Sequence, residues 1–592
     1  MNIFDIIIVS IVLLFIIIVL YKEYIGPAFT FLIAVIVLGI FKILTPSEIL
    51  SGFANEQISV IIMLLLLGDI IRKEAIIEII FDKIFKSSRS YRGFMAQMMV
   101  LVGGFSAFLN NTPLVAVMMP YVSNWSRKHK VSISKLLIPL SYAAILGGTI
   151  TLIGTSTNLI VNGLVIDQKI IPNLPHLHLF DFTAVGLPMF VIGLLYILFI
   201  GEKFLPENKS YVEKVVQNTR KYIVEARVSE KSNLINKTIE EAGLRNLEGL
   251  YLAEIIRNKT VIKAVSSKEI IKNNDILVFA GETEKIADLI DNDKGLIFSE
   301  IGMYSKRKKT EIIEVVISYN SSLINKTIKE INFRGKYDAA IIAIHRNGEK
   351  IKGKIGNIKL KAGDVLLLIS GPDFINRTSD IIDFYFISKI KDIKKQEAYK
   401  IIILIGGTGL AILLSAIGVI SLFMALIILF ILILSFKIAS PKDVHKNIDY
   451  NLAIIIAMAM AIGTAMIKTG FADLIGDFII KMLMPFGTIS LLFGIYMITA
   501  LLAAYTTNQA AVAMIFPISL TVALNQNLNP LPFILVVSFA AAANFMTPIG
   551  YQTNLMVYGP GGYKFKDFFR IGAPLTIIYM IVAVTILYYI YF

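Results

Sequence analysis

Long apolar runs fill both ends of the chain, and a more polar stretch separates them. Residues 1–201 and 399–592 are largely apolar with short polar loops, whereas residues 202–398 mix apolar and charged positions. A helix needs about 20 apolar residues to cross a bilayer. The pattern therefore predicts five membrane spans in each outer part, at 3–20, 26–43, 57–71, 134–166 and 181–200, and at 399–417, 419–436, 451–467, 531–559 and 571–591.

Each outer part also contains an apolar segment that polar residues interrupt. The segment 93–122 is broken at Asn110, Asn111 and Thr112, and the segment 487–523 is broken at Thr507, Asn508 and Gln509. Polar breaks at membrane depth are tolerated only inside protein or beside a wet cavity. They predict two re-entrant hairpins, each followed by a helix N-terminus that attracts anions without Lys or Arg. The alternative is a pair of polar kinks that pack against neighbouring helices.

The fourth span of each part is interrupted as well. Gly and Pro unwind these spans, and the freed carbonyl groups together with Asn and Thr oxygens suit a hard cation such as Na⁺. A glycine-rich packing face is the alternative interpretation. The candidate cation ligands are Asn111, Gly148, Thr151, Gly154 and Asn158 in the first part, and Asn508, Asn544, Gly550 and Asn554 in the second.

The two outer parts correspond to one another at offsets of 396 to 397 residues, because Asn508 follows Asn111 and Asn554 follows Asn158 at these intervals. Five spans per part place the second copy upside down, the inverted-repeat plan of many secondary transporters. Basic loops such as 72–92 and 121–135 lie on the same predicted side as 202–398. The positive-inside rule makes that side cytoplasmic. We therefore expect a multi-pass protein of the plasma membrane with both termini outside.

The middle part repeats internally. Residues 232–239 recur at 321–328, and Asp275 recurs as Asp364 at the same spacing of 89 residues. Short β-like runs alternate with turn signals in each copy, so we predict two α+β modules at 202–300 and 301–398, inserted between the membrane repeats 1–201 and 399–592. No glycine-rich phosphate loop is evident, so the sequence does not support ATP hydrolysis.

Composition excludes several classes of protein. Of 592 residues, 56% are hydrophobic and 17% are charged, which is too apolar for one soluble domain. The net charge of +14 is expected from basic cytoplasmic loops, so we expect no nucleic-acid partner. The chain has no cysteine, so thiolate chemistry is excluded. No convergent nucleophile, acid–base pair or histidine cluster suggests an enzyme.

The paired breaks resemble those of the divalent anion:sodium symporter family. The tripeptides 110–112 and 507–509 look like its two Ser-Asn-Thr hairpin motifs, with Asn110 and Gln509 as departures, and Thr547-Pro548 looks like its unwound-helix contact with substrate. The resemblance implies a substrate between the two tips and Na⁺ at each pair of tip and unwound loop. It assigns substrate binding to Asn110, Asn111, Thr112, Thr507, Asn508, Gln509, Thr547 and Pro548.

Two further similarities refine this expectation. The run 548–554 is similar to sulfate-type members that carry inserted soluble modules, which favours sulfate over dicarboxylate. The middle modules resemble TrkA-C (RCK C-terminal) domains through strand pairs around Arg257 and Arg346, followed by Asp275 and Asp364. This resemblance implies a homodimer and a small regulator such as a cyclic dinucleotide. A purely structural role for the modules is equally open.

The alternatives to Na⁺-coupled symport of a small divalent anion are a Na⁺/H⁺ antiporter or another anion carrier of the same superfamily, a channel and an enzyme. A Na⁺/H⁺ antiporter of the same superfamily needs a buried carboxylate near its cation site, and neither broken region contains Asp or Glu. A channel needs a repeated carbonyl filter, and no such motif is visible. An enzyme needs a convergent set of reactive groups, and the sequence suggests none. The sequence thus favours a symporter that works by alternating access.

Overall fold

A computed structural model gives the architecture of most of the chain. The structure describes residues 3–22, 24–73, 90–168, 170–171, 174–208, 223–244, 247, 250–258, 260–263, 265–266, 268–281, 295–298, 312–319, 321–346, 349–351, 353, 355–370, 374–378, 383–387, 398–441, 444 and 450–592. The sequence also predicts an amphipathic stretch at 74–87 and a hairpin turn at Asn347-Gly348, and both lie outside these residues.

The first outer part is helical. Thr45 begins one helix with a capping box, in which its hydroxyl group accepts from the Glu48 amide and the Glu48 carboxylate accepts from the Thr45 amide. The helices are Ile3–Lys22, Pro27–Ile40, Pro46–Ser51, Glu56–Lys73, Tyr91–Ser106, Asn111–His129, Ser134–Gly148, Ser156–Asp167 and Thr183–Phe199, with 3₁₀ turns at Gly52–Ala54 and Gly201–Phe204.

The last outer part is helical as well. Its first helix, Ala398–Ile401, continues through a π-helical turn at Ile402–Gly406 into Gly407–Ala416. The other helices are Leu422–Ser435, Tyr450–Lys468, Phe471–Leu483, Thr488–Tyr505, Asn508–Asn525, Pro530–Ala542, Gln552–Tyr558 and Phe565–Tyr591, with a 3₁₀ turn at Met484–Phe486.

Six of the described helices are long and apolar enough to cross a membrane: Ile3–Lys22, Tyr399–Ala416, Tyr450–Lys468, Thr488–Tyr505, Asn508–Asn525 and Phe565–Tyr591. A pair bent by 41°, Pro46–Ala54 and Ile58–Ile71, raises the number to seven if it forms one span. The predicted spans 134–166 and 531–559 are each two shorter helices, separated by the first loop (residues 149–155) and the second loop (residues 543–551).

Burial divides the helices into an inner and an outer group. Ser134–Gly148, Asn508–Asn525 and Pro530–Ala542 are almost wholly buried. Leu422–Ser435 instead exposes large apolar side chains such as Ile428 and Ile431, as expected of a helix that faces lipid. The interrupted helices therefore lie at the centre of the membrane part, surrounded by apolar helices.

The middle part folds into two five-stranded antiparallel sheets. The strands are β1 (Ile223–Val228), β2 (Leu250–Arg257), β3 (Thr260–Lys263), β4 (Ile276–Gly281) and β5 (Leu296–Phe298), then β6 (Ile312–Ile317), β7 (Ala339–Arg346), β8 (Glu349–Lys350), β9 (Val365–Ser370) and β10 (Phe384–Phe386). The first sheet has the order β3-β2-β4-β1-β5 and the second β10-β6-β9-β7-β8. If the second order is read in reverse and each strand is matched with its counterpart in the repeat, the two orders are the same.

The second sheet repeats the details of the first at the 89-residue spacing. Arg257 pairs with Asp275 at 2.8 Å, and Arg346 pairs with Asp364 at 2.7 Å. Strands β2 and β7 both carry a register irregularity against their partners, between Leu252 and Glu254 and between Ile341 and Ala343. Each Arg–Asp pair ties the end of one long strand to the turn that begins its neighbour.

The second sheet packs directly on the membrane part. Val316, Val365 and Ile387 belong to the same buried cluster as the membrane helices. Strand β10 lies against the helix Asn111–His129. A Cβ atom at Gly363 would lie 2.9 Å from the side chain of Leu555. The sheet therefore contacts both the helix that follows the first break and the helix that follows the second loop.

Candidate functional site

The first break is a tight turn between two helices. Tyr91–Ser106 ends before residues 107–110, and Asn111–His129 begins directly after them; residues 107–112 are here called the first tip. Asn110 caps the new helix, because its side-chain oxygen accepts a hydrogen bond from the Thr112 amide at 3.3 Å. The helix N-terminus therefore starts at a polar turn, with Asn111 only 2% exposed.

Asn111 is held on both sides of its amide group. Its oxygen accepts from the Tyr551 hydroxyl group at 2.7 Å, and its nitrogen lies 3.2 Å from the Gly154 carbonyl oxygen and 3.3 Å from that of Ala144. The reverse orientation would turn the amide oxygen towards two carbonyl oxygens, so we assign this one. The side chain joins the first tip to the first loop and to the second half of the chain.

The first loop lies close to Asn111 because Gly148, directly before the loop, and Gly154, within it, have no side chain. A Cβ atom at Gly148 would lie 2.7 Å from both amide atoms of Asn111, and one at Gly154 would lie 2.5 Å from the Gly148 carbonyl oxygen. The Thr151 hydroxyl group donates to the carbonyl group of Ala107 in the first tip. The structure thus brings together four of the predicted cation ligands of the first half.

Residues 506–507 separate the helix Thr488–Tyr505 from Asn508–Asn525, and residues 506–509 are here called the second tip. Thr507 caps the new helix by accepting from the Ala510 amide at 3.2 Å. In the second loop, the Thr547 hydroxyl group donates to the Asn544 oxygen at 3.3 Å and accepts from the Gly550 amide at 3.1 Å. Thr507, Asn508 and Gln509 are half-buried, whereas Thr547 and Pro548 are buried.

Asn158 and Asn554 each bond to the loop of their own half and to a serine of the other half, in a reciprocal pattern. The Asn158 nitrogen donates to the Thr151 carbonyl group at 2.9 Å, and its oxygen accepts from Ser538 at 2.8 Å. The Asn554 nitrogen donates to the Thr547 carbonyl group at 3.1 Å, and its oxygen accepts from Ser141 at 2.7 Å.

All six residues of this pattern pair across the two parts at the offsets of 396 to 397 residues. Ser538 corresponds to Ser141, Thr547 to Thr151 and Asn554 to Asn158. Both Asn side chains are fully buried, and their amide groups are engaged by these bonds. In this conformation the two predicted ligands position the loops.

Tyr551 and Gln552 are functional candidates that the sequence pattern did not single out. The Tyr551 hydroxyl group lies 3.3 Å from that of Thr155, in addition to its bond with Asn111. The Thr112 hydroxyl group donates to the Gln552 side-chain oxygen at 2.9 Å. The end of the second loop therefore contacts the first tip, and a polar pair directly after Gly550 was the available signal.

The two halves differ at a matched position beside the first tip. Gly148 stands against Asn111 in the first half, and the corresponding residue of the second half is Asn544. The side-chain oxygen of Asn508 and the side-chain nitrogen of Asn544 are buried without a hydrogen-bond partner among the described residues. Unpaired buried polar atoms are costly, and an amide oxygen in this state is suited to accept a cation.

Charge at the site comes from the backbone. The segments 106–112, 147–158, 506–510 and 543–554 contain no Asp, Glu, Lys or Arg. Two helices of 19 and 18 residues begin at the tips, and each N-terminus carries roughly half a positive charge. A small pocket reaches the first tip past Phe108, Asn110 and Ser156. The arrangement can attract an anion while leaving carbonyl and amide oxygens for a cation.

Comparisons with known proteins agree with this arrangement. A family model described as citrate transporter matches residues 12–422 and 402–592. An uncharacterized transporter of Synechocystis is 34% identical over 96% of this chain and 94% of its own length. The uncharacterized transporter YfbS of Escherichia coli is 26% identical over 92% of each chain. Sodium/sulfate cotransporter 1 of Chlamydomonas reinhardtii is 29% identical over 65% of this chain and 46% of its own length.

These matches cover both membrane parts. The chain therefore belongs to the citrate transporter family, of the divalent anion:sodium symporter type. It is a multi-pass helical membrane protein and a transporter, not an enzyme.

Proposed function

We propose that the protein couples the entry of a small divalent anion, sulfate in preference to a dicarboxylate, to a Na⁺ gradient. The observation that carries the proposal is the presence of two helix N-termini and two unwound loops in segments without Asp, Glu, Lys or Arg. Such half-helix ends bind anionic groups, while unwound carbonyl groups coordinate Na⁺ in many secondary transporters.

The substrate would lie between the two tips. Helix N–H groups after Asn110 and Thr507 would bind the anion, and the side chains of Asn111, Thr112, Asn508 and Gln509 would supply further polar groups. Thr547 and Pro548 of the second loop complete the proposed contact. Tyr551 and Gln552 already contact the first tip, so we add both to the residues that shape the anion site.

Sulfate is favoured over a dicarboxylate by two observations. Several relatives are named sodium/sulfate cotransporters. A compact tetrahedral anion has oxygens on all sides, and the polar groups around the tips are neutral donors with no guanidinium group for planar carboxylate recognition.

Sodium would bind in each half where a tip meets its loop. The first set is Asn111, Gly148, Thr151, Gly154 and Asn158, and the second is Asn508, Asn544, Gly550 and Asn554. In the first half the Asn111 oxygen is taken by Tyr551, whereas in the second half the Asn508 oxygen is buried and unpaired among the described residues. We therefore infer that the second half binds Na⁺ more readily in this conformation.

The transport cycle would use two inverted repeats. The reciprocal bonds of Ser141 with Asn554 and of Ser538 with Asn158 support this interpretation, because a two-fold axis between the halves relates matched contacts in this way. We propose membrane repeats at 1–201 and 399–592, which rock against each other around the site.

The two sheets would form an inserted cytoplasmic unit, with modules at 202–300 and 301–398 and both termini outside. This placement rests on the basic loops. The TrkA-C resemblance suggests a homodimer and a small regulator such as a cyclic dinucleotide, and both stay proposals.

Uptake into proteoliposomes tests the function. Purified protein should accumulate labelled sulfate when Na⁺ is high outside, and K⁺ in place of Na⁺ should reduce uptake to the level of empty vesicles. Labelled succinate should enter at least about tenfold more slowly, since the site lacks paired carboxylate recognition. Equal sulfate uptake with Na⁺ and with K⁺ would show that transport is not coupled to Na⁺. Faster uptake of succinate than of sulfate would show that the site prefers a dicarboxylate.

A further inference from the structure

A second pocket lies where the second sheet meets the membrane part, apart from both tips. Its walls come from β7 and β8 on one side, through Arg346, Lys350 and Ile351, and from residues 558–565 on the other. Its volume is about 530 Å³, within the range of roughly 300–1,000 Å³ that is usual for small-molecule sites. We call it the seam pocket.

Cationic side chains outnumber carboxylates in the wall of the seam pocket. Arg346, Lys350 and Lys564 line it together with one carboxylate, that of Glu349. The guanidinium group of Arg346 is fixed by two hydrogen bonds to Asp364, at 2.7 and 2.8 Å. Tyr558 and Phe565 supply aromatic surface on the membrane side. Cationic groups that converge beside aromatic rings suit a small anion with a flat or apolar portion.

The membrane wall of the seam pocket is continuous with the transport site. Tyr558 ends the helix that starts at Gln552, next to Tyr551 of the second loop. The same helix touches the second sheet, because a Cβ atom at Gly363 would lie 2.9 Å from Leu555. A Cβ atom at Gly559 would likewise lie 2.4 Å from the side chain of Val365.

Two carboxylates outside the lining reduce the positive potential. Asp364 pairs with Arg346, and the amide of Lys564, which precedes the helix Phe565–Tyr591, donates to Asp567 at 2.8 Å. The helix N-terminus is therefore already capped, and the attraction for an anion rests mainly on the side chains of Lys350 and Lys564.

We propose that the seam pocket binds a small phosphate-bearing organic anion, and that the bound anion holds the second sheet against the helix Gln552–Tyr558. A ligand that contacts both walls stabilises the arrangement in which they meet. The pocket then gives the cell a control over transport that is separate from the transported anion. This inference names a site for the small regulator proposed above and rests on that part of the proposed function, but it does not depend on which anion is transported.

Thermal unfolding of the full chain in detergent, with pyrophosphate as the probe, tests the proposal. Pyrophosphate should raise the melting temperature of the wild-type protein by about 2 °C or more at saturation. The same rise is expected in Asn508→Ala, which alters the transport site. It should vanish in the double variant Lys350→Gln/Lys564→Gln. No rise in the wild type, or an equal rise in the double variant, would overturn the proposal.

A single charge change provides a second test that does not depend on the folding of the double variant. Glu349→Gln removes the carboxylate of the seam pocket and should tighten pyrophosphate binding several-fold, because it removes repulsion between like charges. Unchanged or weaker binding in this variant would argue that the probe binds elsewhere.

Discussion

The hydroxyl group of Tyr551 donates a hydrogen bond to the side-chain oxygen of Asn111 at 2.7 Å, although 440 residues separate them in the chain. Thr155, which occupies the position equivalent to Tyr551 in the first half, lies 3.3 Å from the same hydroxyl group. Tyr551 thus lies between the two halves and occupies the amide oxygen that the first Na⁺ set would need. The contact connects the state of the second loop with that of the first tip.

Tyr551→Phe should shift sodium activation of uptake. The change removes the hydroxyl group and keeps the ring, so the oxygen of Asn111 loses its donor. One hydrogen bond contributes about 1 kcal/mol, which corresponds to a change of roughly fivefold in the Na⁺ concentration for half-maximal uptake. Because the bond competes with Na⁺, we expect that concentration to fall. Tyr589→Phe, at a side chain that is 80% exposed, is the control and should leave it unchanged.

Glycine is required near the end of the first loop. A Cβ atom at Gly154 would lie 2.5 Å from the Gly148 carbonyl oxygen and 2.9 Å from that of Ser106. Gly154→Ala should therefore displace the loop from the tip, lower the free energy of unfolding by about 1–3 kcal/mol and reduce uptake at least about tenfold. Gly104→Ala, where a Cβ atom meets nothing within 4 Å, is the matched control. Normal uptake by Gly154→Ala would show that the loop does not need this close approach.

The reciprocal serines should behave alike. Ser141→Ala and Ser538→Ala each remove a donor to a fully buried amide oxygen, and each should lower the free energy of unfolding by about 1–2 kcal/mol. Ser10→Ala serves as control, because Ser10 bonds only to a carbonyl group of its own helix among the described contacts. Thermal unfolding of the three variants measures the effect. A large loss from one serine and none from the other would count against related halves.

The second sheet should lose stability as the pH rises. Burial raises the pKa of Glu314 to about 7 from its usual 4.5, while the charge of Arg127 opposes the rise. The folded protein therefore retains a proton that the unfolded chain releases between pH 4.5 and 7. The stability that this proton confers is fully present below pH 4.5 and is lost as the pH rises through 7.

Glu314→Gln should remove this dependence and raise the free energy of unfolding of the second sheet at pH 8 by about 3 kcal/mol. Urea-dependent proteolysis of the sheet within the full chain gives the measurement. Glu349→Gln, at an exposed carboxylate, is the control. Equal pH dependence in wild type and Glu314→Gln would show that Glu314 is not responsible.

The sequence predicts the local breaks well because each carries its own signal. Polar residues at 110–112 and 507–509 interrupt apolar segments, and the structure has a turn between two helices at both places. Strands β2, β4, β7 and β9 coincide with short β-like runs that turn signals separate. The Arg257–Asp275 pair recurs as Arg346–Asp364. Local chemistry determines these features.

Contacts between the halves are less accessible from the sequence. Tyr551 meets Asn111, and Ser141 meets Asn554, only because packing brings together residues some 400 positions apart. The match of Ser141 with Ser538 at 397 residues was available as a signal, but serine inside an apolar helix usually bonds to its own backbone. The predicted spans 134–166 and 531–559 are also each divided into two shorter helices, because an unwound loop interrupts each of them.

The central claim is that the two tips form the transport site, and uptake by Asn111→Ala and Asn508→Ala tests it most directly. Asn124→Ala and Asn525→Ala, at exposed positions of the same two helices, are the matched controls, and melting temperatures check folding. We predict that each tip variant folds and lowers Na⁺-driven sulfate uptake by at least about 100-fold, while both controls transport normally. Wild-type uptake by both tip variants would contradict the account.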